Sequence, residues 1–116
     1  MTAAGHELLR GTVAWALLDP ARGREQSGHR PVLIIASNQY SATITTLTIV
    51  LPITTVDRGW PNHVPLQGPT GLDAPSWAMT EQPRTLTRAR ITGLAGTVDR
   101  PTMARVEVYL RDFLGI

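Results

Sequence analysis

The chain has 116 residues, enough for one domain and too short for two separate cores. A hydrophobic share of 42% and a charged share of 17% describe a globular chain, not a disordered one. It has no cysteine, which excludes disulfides, thiolate metal sites and a cysteine nucleophile; its eleven cations, all arginine, face nine carboxylates, and a net charge of +2 permits nucleic-acid binding without arguing for it.

Residues 1–9 read as a loose leader, without the basic segment and apolar run of a signal peptide. No stretch nears the ~20 apolar residues of a membrane helix. The expectation is a single domain, 1–116, in the cytoplasm. Residues 11–18 alternate, with Val13, Trp15 and Leu17 on one side of a strand that Asp19-Pro20 ends. A charged loop, 19–31, leads into the apolar run 32–36, which has the length of a buried strand. Ser37-Asn38 closes it, and a short turn or helical piece to Ala42 follows. Over 44–53, Leu47, Ile49, Leu51 and Ile53 share one face, and Pro52 points to an edge or bulge. Short strands are expected at 62–66, within 76–82 and at 94–98, with 84–91 irregular. The period then changes. Met103, Val106, Leu110 and Phe113 mark one face of a helix over 101–114. Asp99 is its N-cap, Pro101 sits in its first turn, Glu107 and Arg111 form an i,i+4 pair, and Gly115 stops it. Many turns, short strands and one terminal helix suit a small twisted barrel.

Several chemistries lack their motifs. No GxxxxGK loop, HExxH or GxSxG elbow is present. Three scattered histidines (His6, His29, His63) do not have metal-ligand spacing. The loop 19–31 gathers Arg22, Arg24, Glu25, His29 and Arg30 between two strands. Such loops are usually solvated, but Arg30-Pro31 opens a buried strand and is therefore held firmly. Thr54, at the end of the alternating strand, is one of fifteen threonines and means little alone. Glu81, Gln82 and Arg84 would ordinarily form a surface turn.

Together these segments carry a resemblance. Gly11-x-Val13-x-Trp15, Asp19-Pro20, Arg22-Gly23-x-Glu25-Gln26-x-Gly28-x-Arg30-Pro31, Ser37-Asn38, Pro52-Ile53-Thr54 and Glu81-Gln82-x-Arg84-Thr85 occur in one order. That order resembles the MazF/PemK family of toxin endoribonucleases, from about residue 10 to the terminal helix. The resemblance implies a mainly β fold with a C-terminal helix, an SH3-like (CcdB/PemK-type) barrel. It implies a homodimer, a MazE-like cognate antitoxin, single-stranded RNA as substrate, no membrane contact, and cleavage without metal or other cofactor. It places catalysis on Arg30, Thr54 and Glu25. It sets Arg22, Arg24, Gln26, His29, Ser37, Asn38, Glu81, Gln82 and Arg84 along the RNA. Arg24 and Pro83 depart from the family's pattern.

The residue chemistry is compatible. Metal-free cleavage uses the RNA 2′-hydroxyl as nucleophile. A guanidinium clamps phosphate oxygens bidentately, which suits Arg30, and a threonine hydroxyl donates to the same phosphate. The base stays open between Glu25 and Arg30, because a guanidinium keeps its proton to above ~12 while good bases titrate near working pH. His29 is adjacent, but its side chain points away from Arg30 if the strand has begun. Two alternatives remain: a gyrase-inhibiting toxin on the related barrel, and a non-catalytic RNA-binding dimer.

Overall fold

A computed structural model describes residues 8–18 and 28–116 and joins strands of three to eight residues edge to edge. The strands are β1 (Thr12–Leu18), β2 (Gly28–Ile34), β3 (Leu47–Thr54), β4 (His63–Pro65), β5 (Trp77–Met79), β6 (Arg84–Thr87) and β7 (Ile91–Thr97). Two helices, α1 (Asn38–Thr43) and α2 (Arg100–Leu114), complete the described elements. All described pairings are antiparallel, in the order β4-β5-β3-β2-β1-β7, with β6 also on β3. This is the mainly β fold with a C-terminal helix that the resemblance implies. Among the described residues β4 and β7 do not meet, so the sheet is open and "barrel" is too closed a word.

β3 is the hub. Its Leu47–Val50 half pairs with β6, and its Ile53–Thr54 end pairs with β5. Pro52 is buried between those two stretches, where this edge changes partner. The missing N–H is tolerated at that break, so Pro52 marks no sheet edge. β6 corrects the irregular reading of 84–91. Leu86 is the one apolar residue of β6; it is buried opposite Thr48, while Thr85 and Thr87 face water.

Alternation gives each sheet face its own core. One holds Ala14, Ala16, Val32, Ile34 and Val50, covered by Leu8, Leu86 and Ile91. The other holds Val13, Leu33, Leu51, Ile53, Val64 and Ala78, covered by Val106 and Leu110 of α2. Leu8, assigned by sequence to the leader, is fully buried. Residues 1–7 lie outside the described structure.

α2 begins and ends as its sequence predicts. Asp99 accepts from Thr102 N at 2.9 Å, and Gly115 caps the C-terminus with φ 70°. Two details differ. Glu107 pairs with Arg10 at 2.9 Å instead of Arg111, so it ties the first described residues to the helix. Phe113 is 49% exposed and lies beside Tyr109; the buried stripe is Thr102, Val106 and Leu110. Loop 68–72 lies so close on β7 that a Cβ at Gly96 would sit 2.2 Å from Pro69 O. Only glycine fits there.

Candidate active site

Arg30 and Thr54 come from strands that are neighbours. β2 and β3 pair Ile34 with Val50, Leu33 with Leu51 and Val32 with Pro52. Carried on by two residues, that register brings Arg30 level with Thr54. Residues level on antiparallel neighbours point to one face and stand about 5 Å apart. Arg30 also lies opposite Ala16, and Thr54 opposite Trp77. The row across the strands therefore runs Ala16, Arg30, Thr54, Trp77, Pro65. It leaves the core at Ala16 and emerges half-buried at Arg30 and Thr54.

Local chemistry leaves both groups available. Among the described residues Arg30 makes no hydrogen bond or ion pair, so its planar fork of donors is unspent. The Thr54 hydroxyl oxygen accepts from Val56 N at 3.1 Å. That bond uses a lone pair and leaves the O–H proton free to donate outward.

The other sequence-assigned residues divide. Glu25, Arg22, Arg24 and Gln26 lie outside the described residues. His29 follows the alternation away from Arg30: its Nε2 is 2.7 Å from Thr92 Oγ1, beside Trp15 on the opposite face. Ser37 and Asn38 lie past the far end of β2, seven and eight residues from Arg30, about 25 Å along extended chain. Both are engaged locally: Ser37 Oγ accepts from Tyr40 N as the cap of α1, and Asn38 Oδ1 accepts from Arg10 N at 2.8 Å. Arg84 pairs with Val50, four residues along β3 from Thr54, and faces the same side. Arg88 is buried and spent on backbone carbonyls, and Arg90 donates to Leu17 O at 3.1 Å. Arg88 therefore adds no positive charge to the surface.

Glu81 and Gln82 belong to a compact network that the sequence does not reveal. His63 is buried on β4, and its Nε2 lies 3.0 and 3.1 Å from the two Glu81 carboxylate oxygens. A carboxylate only accepts, so Nε2 carries the proton. Asn62 Nδ2 donates to Glu81 Oε1 at 2.9 Å, and Gln82 Nε2 to Glu81 Oε2 at 3.1 Å. The Trp60 ring packs 4.7 Å from the His63 ring. Residues 62–63 and 80–82 meet only because β4 and β5 form a hairpin. The one sequence signal is the polar cluster at either end of it.

Burial alone would raise the Glu81 carboxyl. Hydrogen bonds from its own backbone, His63 and Gln82 outweigh that and hold it below its ordinary 4.5. A depressed folded value stabilises the fold above the unfolded value, and that stability fades as pH falls through the folded one. Glu81→Ala should therefore melt below the parent at pH 7, and the gap should close below about 4.5. Melting curves from pH 7 to pH 3 check this; a gap that stays constant contradicts the assignment.

Among the described residues, no three His, Asp or Glu side chains gather to hold a metal ion, and no helix is long and apolar enough to cross a membrane. A groove of about 430 Å³, lined by Tyr40, Ile49, Leu110 and Leu114, lies against α2, away from Arg30 and Thr54.

Comparison with known proteins places this arrangement. A profile of PemK-like, MazF-like toxins of type II toxin–antitoxin systems matches residues 9–114. The chain belongs to this family. The endoribonuclease EndoA of Bacillus subtilis is 32% identical over 111 residues, covering 92% of this chain and 94% of that protein. The endoribonuclease toxin MazF of Escherichia coli K12 is 28% identical over 106 residues, covering 90% and 92%. A chain in a MazE–MazF crystal structure from Deinococcus radiodurans superposes with a TM-score of 0.79 at 26% identity, covering 96% of this chain and 98% of that one. This MazF-like toxin thus spans nearly the full length of its relatives. Its Trp60, Asn62, His63 and Trp77, which no sequence motif singled out, share the sheet end that bears Arg30 and Thr54.

Proposed function

We propose that this chain is the endoribonuclease toxin of a type II toxin–antitoxin system, cutting single-stranded RNA without a metal ion. The reading is supported by the β2–β3 register, which pairs Val32 with Pro52 and, carried on by two residues, makes Arg30 and Thr54 level, and by an Arg30 guanidinium without a hydrogen bond or ion pair among the described residues. Family membership and the endoribonuclease relatives support it. The RNA 2′-oxygen attacks the adjacent phosphorus, the P–O5′ bond breaks, and the products are a 2′,3′-cyclic phosphate and a 5′-hydroxyl. Arg30 clamps two phosphate oxygens and meets the charge that grows on them. Thr54 donates to the same phosphate. Glu25 takes the 2′-proton while Arg30, as acid, returns one to the 5′-oxygen; for Arg30 to serve as base instead, it must first give up its own proton. Growth inhibition follows from loss of message, and a MazE-like cognate antitoxin neutralises the toxin. In this reading the chain is a homodimer; its exposed Val108, Phe113 and Leu114 on one helix support an apolar contact.

Thr54 gives the direct test. Thr54→Val removes the donor at equal volume and should slow cleavage by about 10–100-fold, the worth of a hydrogen bond to a charged group. Thr54→Ser should keep most of the activity. Single-turnover rates on a long unstructured RNA measure both; a Val variant as fast as the parent removes Thr54 from the mechanism. RNA bound tightly but left intact by the parent protein would favour the non-catalytic binding module instead.

A further inference from the structure

Trp60 is 50% exposed, an unusual place for so large a ring in a well-braced loop. The bracing is continuous. Val56 N donates to Thr54 Oγ1, Gly59 N to Asp57 Oδ1 at 2.9 Å, and His63 N to Trp60 O at 3.1 Å. Thr80 Oγ1 donates to Asn62 O at 2.7 Å. The inner side of the ring rests on His63, whose Nδ1 is buried without a partner among the described residues, so Glu81 alone fixes that imidazole. The outer side meets water.

Its position is set by register. Thr54 faces Trp77, and Trp77 faces Pro65; His63 lies two residues before Pro65 and so points to the same side. The ring that rests on His63 therefore stands on the Arg30–Thr54 side of the sheet. His63 is two strand spacings across and two residues along from Thr54, about 12 Å, and the Trp60 ring packs 4.7 Å from its imidazole.

Glu81 also decides what surrounds the ring. Its two oxygens take the amide nitrogens of Asn62 and Gln82. Because a carboxylate cannot donate, both amides are turned nitrogen inward, and their carbonyl oxygens are left over. Beside the flat π surface of Trp60, this network thus leaves two carbonyl oxygens as acceptors and no free donor from these amides. The complementary ligand is flat and carries an amino group on its edge.

We propose that Trp60 stacks one base of the RNA substrate, and that Asn62 and Gln82 accept from that base's exocyclic amino group. This deepens the cleavage reading and rests on it. Adenine, cytosine and guanine carry such a group and uracil does not, so the subsite disfavours uracil. Glu81 and His63 are positioning residues that touch no RNA.

Cleavage ends on a long mixed-sequence RNA, mapped for the parent, Trp60→Ala, Trp60→Phe and Asn62→Ala, test this. The parent should show one position near the cut where uracil is depleted. Trp60→Ala should raise KM about 10–100-fold, the usual effect of losing one base–aromatic stack, with kcat within about threefold. Trp60→Phe should recover most of the affinity, and Asn62→Ala should admit uracil at that one position. An unchanged KM in Trp60→Ala, a Phe variant no better than Ala, or a parent that accepts uracil everywhere near the cut overturns the proposal. If the parent cuts no RNA, the cleavage reading fails by itself, and tryptophan quenching decides the stacking. Quenching by oligo(A) but weakly by oligo(U), lost in Trp60→Phe, upholds it; equal quenching in both proteins overturns it. Melting temperatures confirm that each variant is folded.

Discussion

Replacing Arg30 by alanine is expected to slow RNA cleavage by about 10²–10³-fold, the usual cost of removing one donor from a developing oxyanion. The protein should stay folded, with a melting temperature within a few degrees of the parent. Among the described residues Arg30 holds no other group, so its removal orphans no buried partner. Arg30→Lys separates charge from geometry. A lysine keeps the positive charge but loses the planar fork that grips two oxygens. It should recover only part of the lost rate. Equal rates for Lys and Arg would mean that charge alone matters, and would remove the bidentate clamp from the mechanism.

The second large effect is on stability and comes from another arginine. Arg88 is 6% exposed and donates to three carbonyls: Leu47 O at 3.1 Å, Ile44 O at 3.3 Å and Ser41 O. Ser41 lies in the last turn of α1 and Ile44 is its C-cap, so the guanidinium closes the helix end and ties it to the start of β3. Arg88→Met keeps the aliphatic stem and removes the donors. With carbonyls left unpaired, the expected loss is about 3 kcal/mol, or roughly 10 °C in Tm for a domain of this size. Cleavage by the folded fraction should be unchanged, because Arg88 is remote from Thr54. A thermal melt within 2 °C or so of the parent would show that water satisfies those carbonyls.

What the sequence reveals depends on how local the cause is. α2 is legible because its period, its Asp99 cap and its Gly115 stop all lie within the segment. β1 and β3 are legible from their apolar alternation, but β2 only over 32–34: Gly28–Pro31 read as the end of a charged loop and become strand only because β1 lies beside them. β6 is not, since one buried Leu86 between threonines becomes a strand only when β3 lies beside it. Glu107 chose Arg10 over Arg111 for the same reason: a partner 97 residues away cannot be read from helical spacing.

The candidate site divides along the same line. Arg30 and Thr54 are readable as types in a motif, yet nothing in the sequence between them states the register that makes them level. The Glu81 network shows in the sequence only as a polar cluster, because His63 becomes a buried donor only when β4 folds onto β5. Nor does the sequence show that Arg88, two residues before the solvent-accessible Arg90, is buried. The modest net charge of +2 therefore says less than the placement of single arginines.

In the proposed reaction Arg30 and Thr54 cut RNA through its own 2′-hydroxyl. This is tested most directly by incubating a long single-stranded RNA with the protein in excess chelator and determining both new ends. The parent protein should give 2′,3′-cyclic phosphate and 5′-hydroxyl ends, and Arg30→Ala almost none. Intact RNA with the parent protein, 5′-phosphate ends, or equal cutting by Arg30→Ala would contradict it.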